Sequence, residues 1–224
     1  MAYQDSAQFS VGDVLTRMGH VLQQSVKPAA VYLLVLSVLG IIAELLSADS
    51  GTVSMGALMQ LIVGIVGIIA GYLLIEAMLR GTGMLSAEGP RRYLAYLGQS
   101  ILIMLGVSLG LMLLVVPGIY LGCRWVIASI VLIGEQERAV DAMKISWDAT
   151  RGHAWKIFLA SLVLLLIVAV VVGLGGSLMA VNVTVGLMTF QIAVSVAGVI
   201  YSAFLVALYG LLRSPAGHLQ DVFA

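Results

Sequence analysis

The chain has 224 residues, of which 61% are hydrophobic and only 10% charged. Soluble globular chains carry about 25% charged residues, so the composition excludes an ordinary soluble domain and implies an integral membrane protein. Eleven basic residues balance eleven acidic ones, which removes bulk charge as an argument for nucleic-acid binding.

The N-terminus carries Asp5 and Asp13, with no basic start, short apolar core or small-residue cleavage site ahead of the first long apolar run. No cleaved signal peptide is expected. Ala2 and the terminal Asp-Val-Phe-Ala carry no lipidation motif, and the single cysteine, Cys123, permits no internal disulfide.

The first predicted element is amphipathic. In "FSVGDVLTRMGHVLQQSVKP" the residues Val11, Val14, Leu15, Met18, Val21 and Leu22 fall at helical spacing, with Asp13, Arg17, His20 and Gln24 elsewhere. Ser10 with Asp13 resembles a capping box, which starts the helix near Val11, and Pro28 marks where it must bend or stop.

Six apolar runs follow, at 29–46, 53–79, 93–116, 119–134, 154–173 and 183–212. A bilayer core of about 30 Å needs about 17 to 25 helical residues, so each reads as a span, the fourth being short. Pro117-Gly118 between spans three and four is a turn signal and predicts an antiparallel helical hairpin. Gly67 and Gly71 have the spacing of a close helix contact, with packing inside one chain favoured over a dimer seam.

A second amphipathic segment, "EQERAVDAMKISWDATRGHAWK", lies between spans four and five. Val140, Met143 and Trp147 share a face, while Asp141 with Lys144 and Lys144 with Asp148 can pair, and Gly152 is a C-terminal stop. Both amphipathic helices are expected to lie on the cytoplasmic leaflet, with Trp147 and Trp155 at headgroup depth.

Basic residues orient the set. Arg17, Lys27, Arg80, Arg91, Arg92, Arg138, Lys144, Arg151, Lys156 and Arg213 all fall on one side, whereas the loops 47–52, 117–118 and 174–182 contain no Lys or Arg. The positive-inside rule then predicts both termini in the cytoplasm. The expected fold is all-α and integral to the membrane: six transmembrane helices with two cytoplasmic-side amphipathic helices. It forms one polytopic domain, 1–224, whose halves 1–116 and 117–224 suggest a three-plus-three repeat.

Arg124 is the one basic residue that breaks the pattern. It lies ten residues before Gly134, about 15 Å from the cytoplasmic end at 1.5 Å per residue. A structural tie beneath the outer hairpin is the favoured reading. A lipid phosphate or other anionic ligand is the alternative, and a salt bridge to Glu44 the third. The other intramembrane polar residues are Gln60, Glu76, Gln99 and Gln191, and the expected partner of Glu76 is Arg80, one turn away. His20, His153 and His218 have no metal-ligand spacing, and no nucleophile elbow, phosphate loop or dinucleotide fingerprint occurs. No catalytic residue, metal or cofactor is expected.

The run "VVPGIYLGCRW", then Glu135, then "AMKISWDATRGHAWKIF" resembles the signature of the glycerophosphoryl diester phosphodiesterase membrane-domain family and related bacterial inner-membrane proteins. The matching positions are Pro117, Gly118, Tyr120, Arg124, Trp125, Glu135, Ala142, Met143, Ser146, Trp147, Thr150, Gly152 and Trp155. Met143 replaces the usual leucine, and Ser129-Ile130 lacks a proline often found there. In some relatives this membrane part precedes a soluble catalytic barrel. Only twelve residues follow the sixth span, so phosphodiesterase activity is not expected of them.

The resemblance implies a bacterial inner-membrane protein that is not an enzyme. Its expected role is in membrane or envelope lipid homeostasis, or as a membrane scaffold. The alternative is a small transporter or exporter, or a resistance protein, for a membrane-active or lipid-like substrate. Membrane lipids are the expected partners, with a homo-oligomer or another membrane protein as further candidates.

Overall fold

A computed structural model describes residues 10–49, 53–85 and 89–213. The sequence readings that rest on residues 1–9, on the centre of the 47–52 loop and on the tail after Arg213 lie outside the described residues. Among the described residues the chain is entirely helical: α1 (Val11–Gln24), α2 (Val26–Asp49), α3 (Val53–Gly81), α4 (Tyr93–Leu113), α5 (Val115–Trp125), α6 (Ala128–Gly134), α7 (Ala139–Ala149), α8 (Ala154–Ser177) with a 3-10 turn at Leu178–Ala180, and α9 (Val183–Arg213). Six segments are long and apolar enough to cross a bilayer, Val115–Gly134 being one composite span made of α5 and α6. The protein is a multi-pass membrane protein.

α1 opens on the expected capping box. Asp13 N–H donates to Ser10 Oγ at 3.2 Å, and Ser10 N–H donates back to the Asp13 carboxylate at 2.7 Å. These bonds from the Ser10 backbone and hydroxyl hold the Asp13 carboxyl below its ordinary pKa. The helix bends at Ser25, whose N–H bonds back to the Leu22 carbonyl. Pro28 falls in the first turn of α2, where its missing N–H has no intrahelical partner to lose.

The hairpin between spans three and four turns elsewhere than expected. Leu114 is extended, at φ −160° and ψ 141°, and α5 begins at Val115. Pro117 and Gly118 are therefore helical, and Gly118 serves close approach: a methyl there would lie 2.5 Å from the Leu111 nitrogen, and one at Gly110 would lie 2.8 Å from Gly118 Cα. By contrast, a methyl at Gly64, Gly67 or Gly71 meets nothing within 4 Å. Among the described residues the Gly67 and Gly71 pair makes no close helix contact, contrary to the reading of its spacing.

The fourth span is broken. α5 ends at Trp125, a turn occupies Val126 and Ile127, and α6 is a seven-residue helix in which every residue but Ser129 is buried. The apolar core lies around α6, where Ile75, Met78 and Leu79 of α3 and Phe204 and Leu208 of α9 join Ile127, Ile130 and Leu132. α1 inserts Val14 and Val21 into the same core, and α9 is its central element.

Side-chain contacts gather the basic residues at one end of the bundle. Arg17 reaches Gly210 at the end of α9, Arg92 binds the Gln136 carbonyl, and Arg213 pairs with Glu135.

Candidate functional site

A helix interrupted inside a membrane leaves main-chain groups that lipid cannot satisfy. Here the family-motif positions provide the partners. Ser146 Oγ donates to the Arg124 carbonyl at 2.9 Å. Thr150 Oγ1 lies 3.3 Å from that carbonyl, but its one hydrogen is better placed on the Ser146 carbonyl at 2.8 Å. Its lone pairs then accept from Arg124 Nη1 at 3.3 Å. On the far side of the break, Gln99 Nε2 donates to the Ala128 carbonyl, and also to that of Ala139, each at 3.2 Å. Two helices thus hold the gap: α7 through Ser146 and Thr150, and α4 through Gln99.

The Arg124 guanidinium is buried, at 3% exposure, over the Trp147 ring at 4.4 Å and near the Tyr120 ring at 5.7 Å. Among the described residues no carboxylate pairs with it, Glu44 included, and its Nε has no hydrogen-bond partner. Arg124 lies ten residues along α5 from Leu114, about 15 Å from the tip of the hairpin. Its partners belong to α7, so the expected tie beneath the hairpin tip runs instead across the helix break. Trp125 packs over Gly106, where a methyl would lie 2.6 Å from the indole.

The face of α7 that packs on the protein is distinct from the apolar face of Val140, Met143 and Trp147. Ala142, Ser146 and Thr150 form it at one-turn spacing, against α5 and α6. Small and hydroxyl side chains allow the close approach and supply the caps. Val140, Met143 and Trp147 instead form a wall, with Leu102 and Trp125 opposite, around a groove of about 630 Å³ edged by Lys144 and Asp148. Lys144 lies 3.8 Å from Asp141; no ion pair joins it to Asp148 among the described residues.

Two carboxylates organise the basic end. Glu76 accepts from Arg80, one turn away as expected, and from Arg91, each at 3.1 Å. That contact holds the Arg91 guanidinium above its ordinary pKa. Glu135 accepts from Tyr209 Oη at 3.0 Å and from Arg213 at 2.7 Å, fastening the end of α6 to the end of α9. Arg92 Nη1 donates to the Gln136 and Glu137 carbonyls at 2.8 and 3.2 Å, where Gln136 takes φ 56°. Tyr72 packs against a tilted Tyr93 ring and edge-to-face with Tyr96, and its hydroxyl accepts the Arg92 N–H.

The structure brings Tyr120, Arg124, Trp125, Ser146, Trp147 and Thr150 together, with Ala142 and Met143 beside them on α7, and leaves the other motif residues apart. Pro117 and Gly118 serve the hairpin. Gly152, at φ 83°, ends the α7 segment in a conformation open to glycine. Trp155 is 69% exposed and stacks on Phe158. Arg91, Arg92, Tyr209 and Arg213 were not legible as partners, because their contacts join positions distant in sequence. Among the described residues no group of three His, Cys, Asp or Glu side chains could hold a metal ion.

No curated protein and no solved structure matches the chain significantly. The family described as the membrane domain of glycerophosphoryl diester phosphodiesterase matches residues 94–216, more than half of the chain. That stretch runs from α4 through the broken span and α7 to beyond α9, so it contains every residue of the helix-break cluster, and the match is to a membrane domain, not a catalytic one. The chain belongs to the membrane-domain family of glycerophosphoryl diester phosphodiesterase.

Proposed function

We propose that the protein is a non-catalytic membrane module that engages lipid at its basic end, in membrane or envelope lipid homeostasis or as a scaffold, with that end in the cytoplasm of a bacterial inner membrane. The groove between α4, α5 and α7 carries this reading. Its walls, Leu102, Trp125, Met143 and Trp147, suit an acyl chain, and Lys144 at its edge suits a phosphate. A groove of about 630 Å³ falls within the size range of small-molecule sites.

Extraction into native-lipid nanodiscs followed by mass spectrometry tests it. The reading expects an anionic lipid enriched over the bulk membrane, and that enrichment reduced by Lys144→Gln. Absence of any enriched lipid or protein partner removes support from the lipid and scaffold versions together.

A transporter or exporter is the second reading, favoured by the broken fourth span. Interrupted helices in transporters present main-chain groups to a substrate near mid-membrane. Flux of a lipid-like cation or anion into liposomes, abolished by Arg124→Ala, supports this reading. Flux unchanged in that variant takes Arg124 out of the mechanism.

A further inference from the structure

A second cavity lies away from the helix-break cluster, at the basic end, bounded by α1, the turn at 82–84 and the end of α9. Its volume is about 440 Å³, within the range of small-ligand sites. Arg17 and His20 stand three residues apart on α1, and both line it, with Thr16 and Gln24 on the same helix. Every one of these side chains can donate a hydrogen bond.

The donors are unspent. The Arg17 guanidinium lies across Gly210, where a methyl would be 2.7 Å from its Nε. Among the described residues its one polar contact is the Met84 sulfur, a weak acceptor at 3.8 Å. His20 has no hydrogen-bond or ion-pair partner among them. Asp13, the carboxylate that also lines the cavity, is taken up by the backbone and hydroxyl of Ser10 and forms no ion pair with Arg17 among the described residues. The cavity therefore offers a guanidinium and several further donors, and its single carboxylate is already engaged.

We propose that this cavity binds a phosphate-bearing anion, held by Arg17 with His20. A guanidinium presents paired N–H groups that match two phosphate oxygens, which a chloride-sized ion cannot use. The room beyond a phosphate group is enough for the rest of a headgroup or small phosphate ester. Either a lipid headgroup or a free phosphate carries this chemistry, and the site is separate from the α7 groove.

The full chain in nanodiscs of purely zwitterionic lipid is titrated calorimetrically with two probes, inorganic phosphate and a water-soluble short-chain phosphatidic acid. The site predicts saturable binding of at least one. Equal affinity for both identifies free phosphate as sufficient, and binding of the phosphatidic acid alone identifies a headgroup. Loss of two charge-assisted contacts in the double variant Arg17→Gln, His20→Gln is expected to weaken binding by about tenfold or more. Thr16→Trp, which fills the cavity from an exposed position and removes no charge, is expected to weaken it as well, and gives the readout should the double variant not fold. A binding event lost in the double variant and kept in Lys144→Gln belongs to this cavity, whereas one lost only in Lys144→Gln belongs to the groove and overturns the present site, so failure here is distinguishable from failure of the groove. Wild-type affinity in both cavity variants, or no saturable binding of either probe, overturns the proposal.

Discussion

Ser146 Oγ donates to the main-chain carbonyl of Arg124 across 2.9 Å, and both residues are buried. Removing a donor from a buried carbonyl costs about 1–3 kcal/mol. Thr150 is a poorer substitute, because it lies 3.3 Å from that carbonyl and its hydrogen is better engaged with the Ser146 carbonyl at 2.8 Å. Ser146→Ala is expected to destabilise the protein by about 1–3 kcal/mol, seen as a lower thermal midpoint in detergent. Ser100, which bonds only to its own helix, is the control: Ser100→Ala is expected to stay within about 0.5 kcal/mol.

The Arg124 guanidinium behaves differently from its carbonyl. It has one side-chain hydrogen bond at 3.3 Å, a Trp147 ring at 4.4 Å, and no carboxylate among the described residues. A desolvated cation–π contact returns about 2 kcal/mol, whereas taking a cation out of water costs several kcal/mol. Arg124→Met keeps the volume and the main-chain tie. Its stability is expected within about 1 kcal/mol of wild type, or above it. A large loss in the unfolding midpoint would show that the guanidinium itself secures the break.

How much was legible follows from range. The six spans rest on run length and the absence of charge, and the match between Glu76 and Arg80 rests on one helical turn. The interruption at Val126 and Ile127 has no local signal, since both are apolar β-branched residues. It is held by Ser146, Thr150 and Gln99, whose bonds to Arg124 and Ala128 join residues 22 to 29 apart in sequence. Pro117-Gly118 signals a turn that the structure makes at Leu114, because proline in a first helical turn costs nothing and the same dipeptide fits a loop or a helix start. Ser146 and Thr150 could be recognised as motif positions, but not as caps.

Glycine spacing gives a sharper contrast. Gly118 faces the Leu111 backbone, where a methyl would lie 2.5 Å from nitrogen, while Gly67 faces open space. Gly118→Ala is expected to destabilise by about 1–3 kcal/mol through overpacking. Gly67→Ala is expected to be neutral or to stabilise by up to about 1 kcal/mol, as alanine is the better helix former. Comparing the two unfolding midpoints checks both. A strong loss at Gly67 would point to a helix contact outside the single chain.

Glu135 connects the end of α6 to α9 through Tyr209 and Arg213, and its side chain is only 15% exposed. In Glu135→Ala the bonds from Tyr209 and Arg213 to this carboxylate are lost. The effect is expected to be local: amides in the last turns of α9 exchange faster with solvent deuterium, while those of α4 and α5 keep wild-type protection. Equal acceleration across the bundle would mean that this contact governs global stability.

Orientation can be tested at the two ends of the bundle. One end collects Arg17, Arg92 and Arg213 around the α9 terminus, whereas the turn between α8 and α9, with Asn182, carries no basic residue. Positive charge near span ends is retained in the cytoplasm, so Asn182 is expected outside and Arg138 inside. Both positions are exposed, and the native thiol, Cys123, is buried. In a Cys123→Ser background, Asn182→Cys is expected to react with an impermeant maleimide on intact cells, and Arg138→Cys only after permeabilisation. The reverse pattern would place the basic end, with both the α7 groove and the Arg17 cavity, outside the cell, where a cytoplasmic phosphate ligand could not reach it.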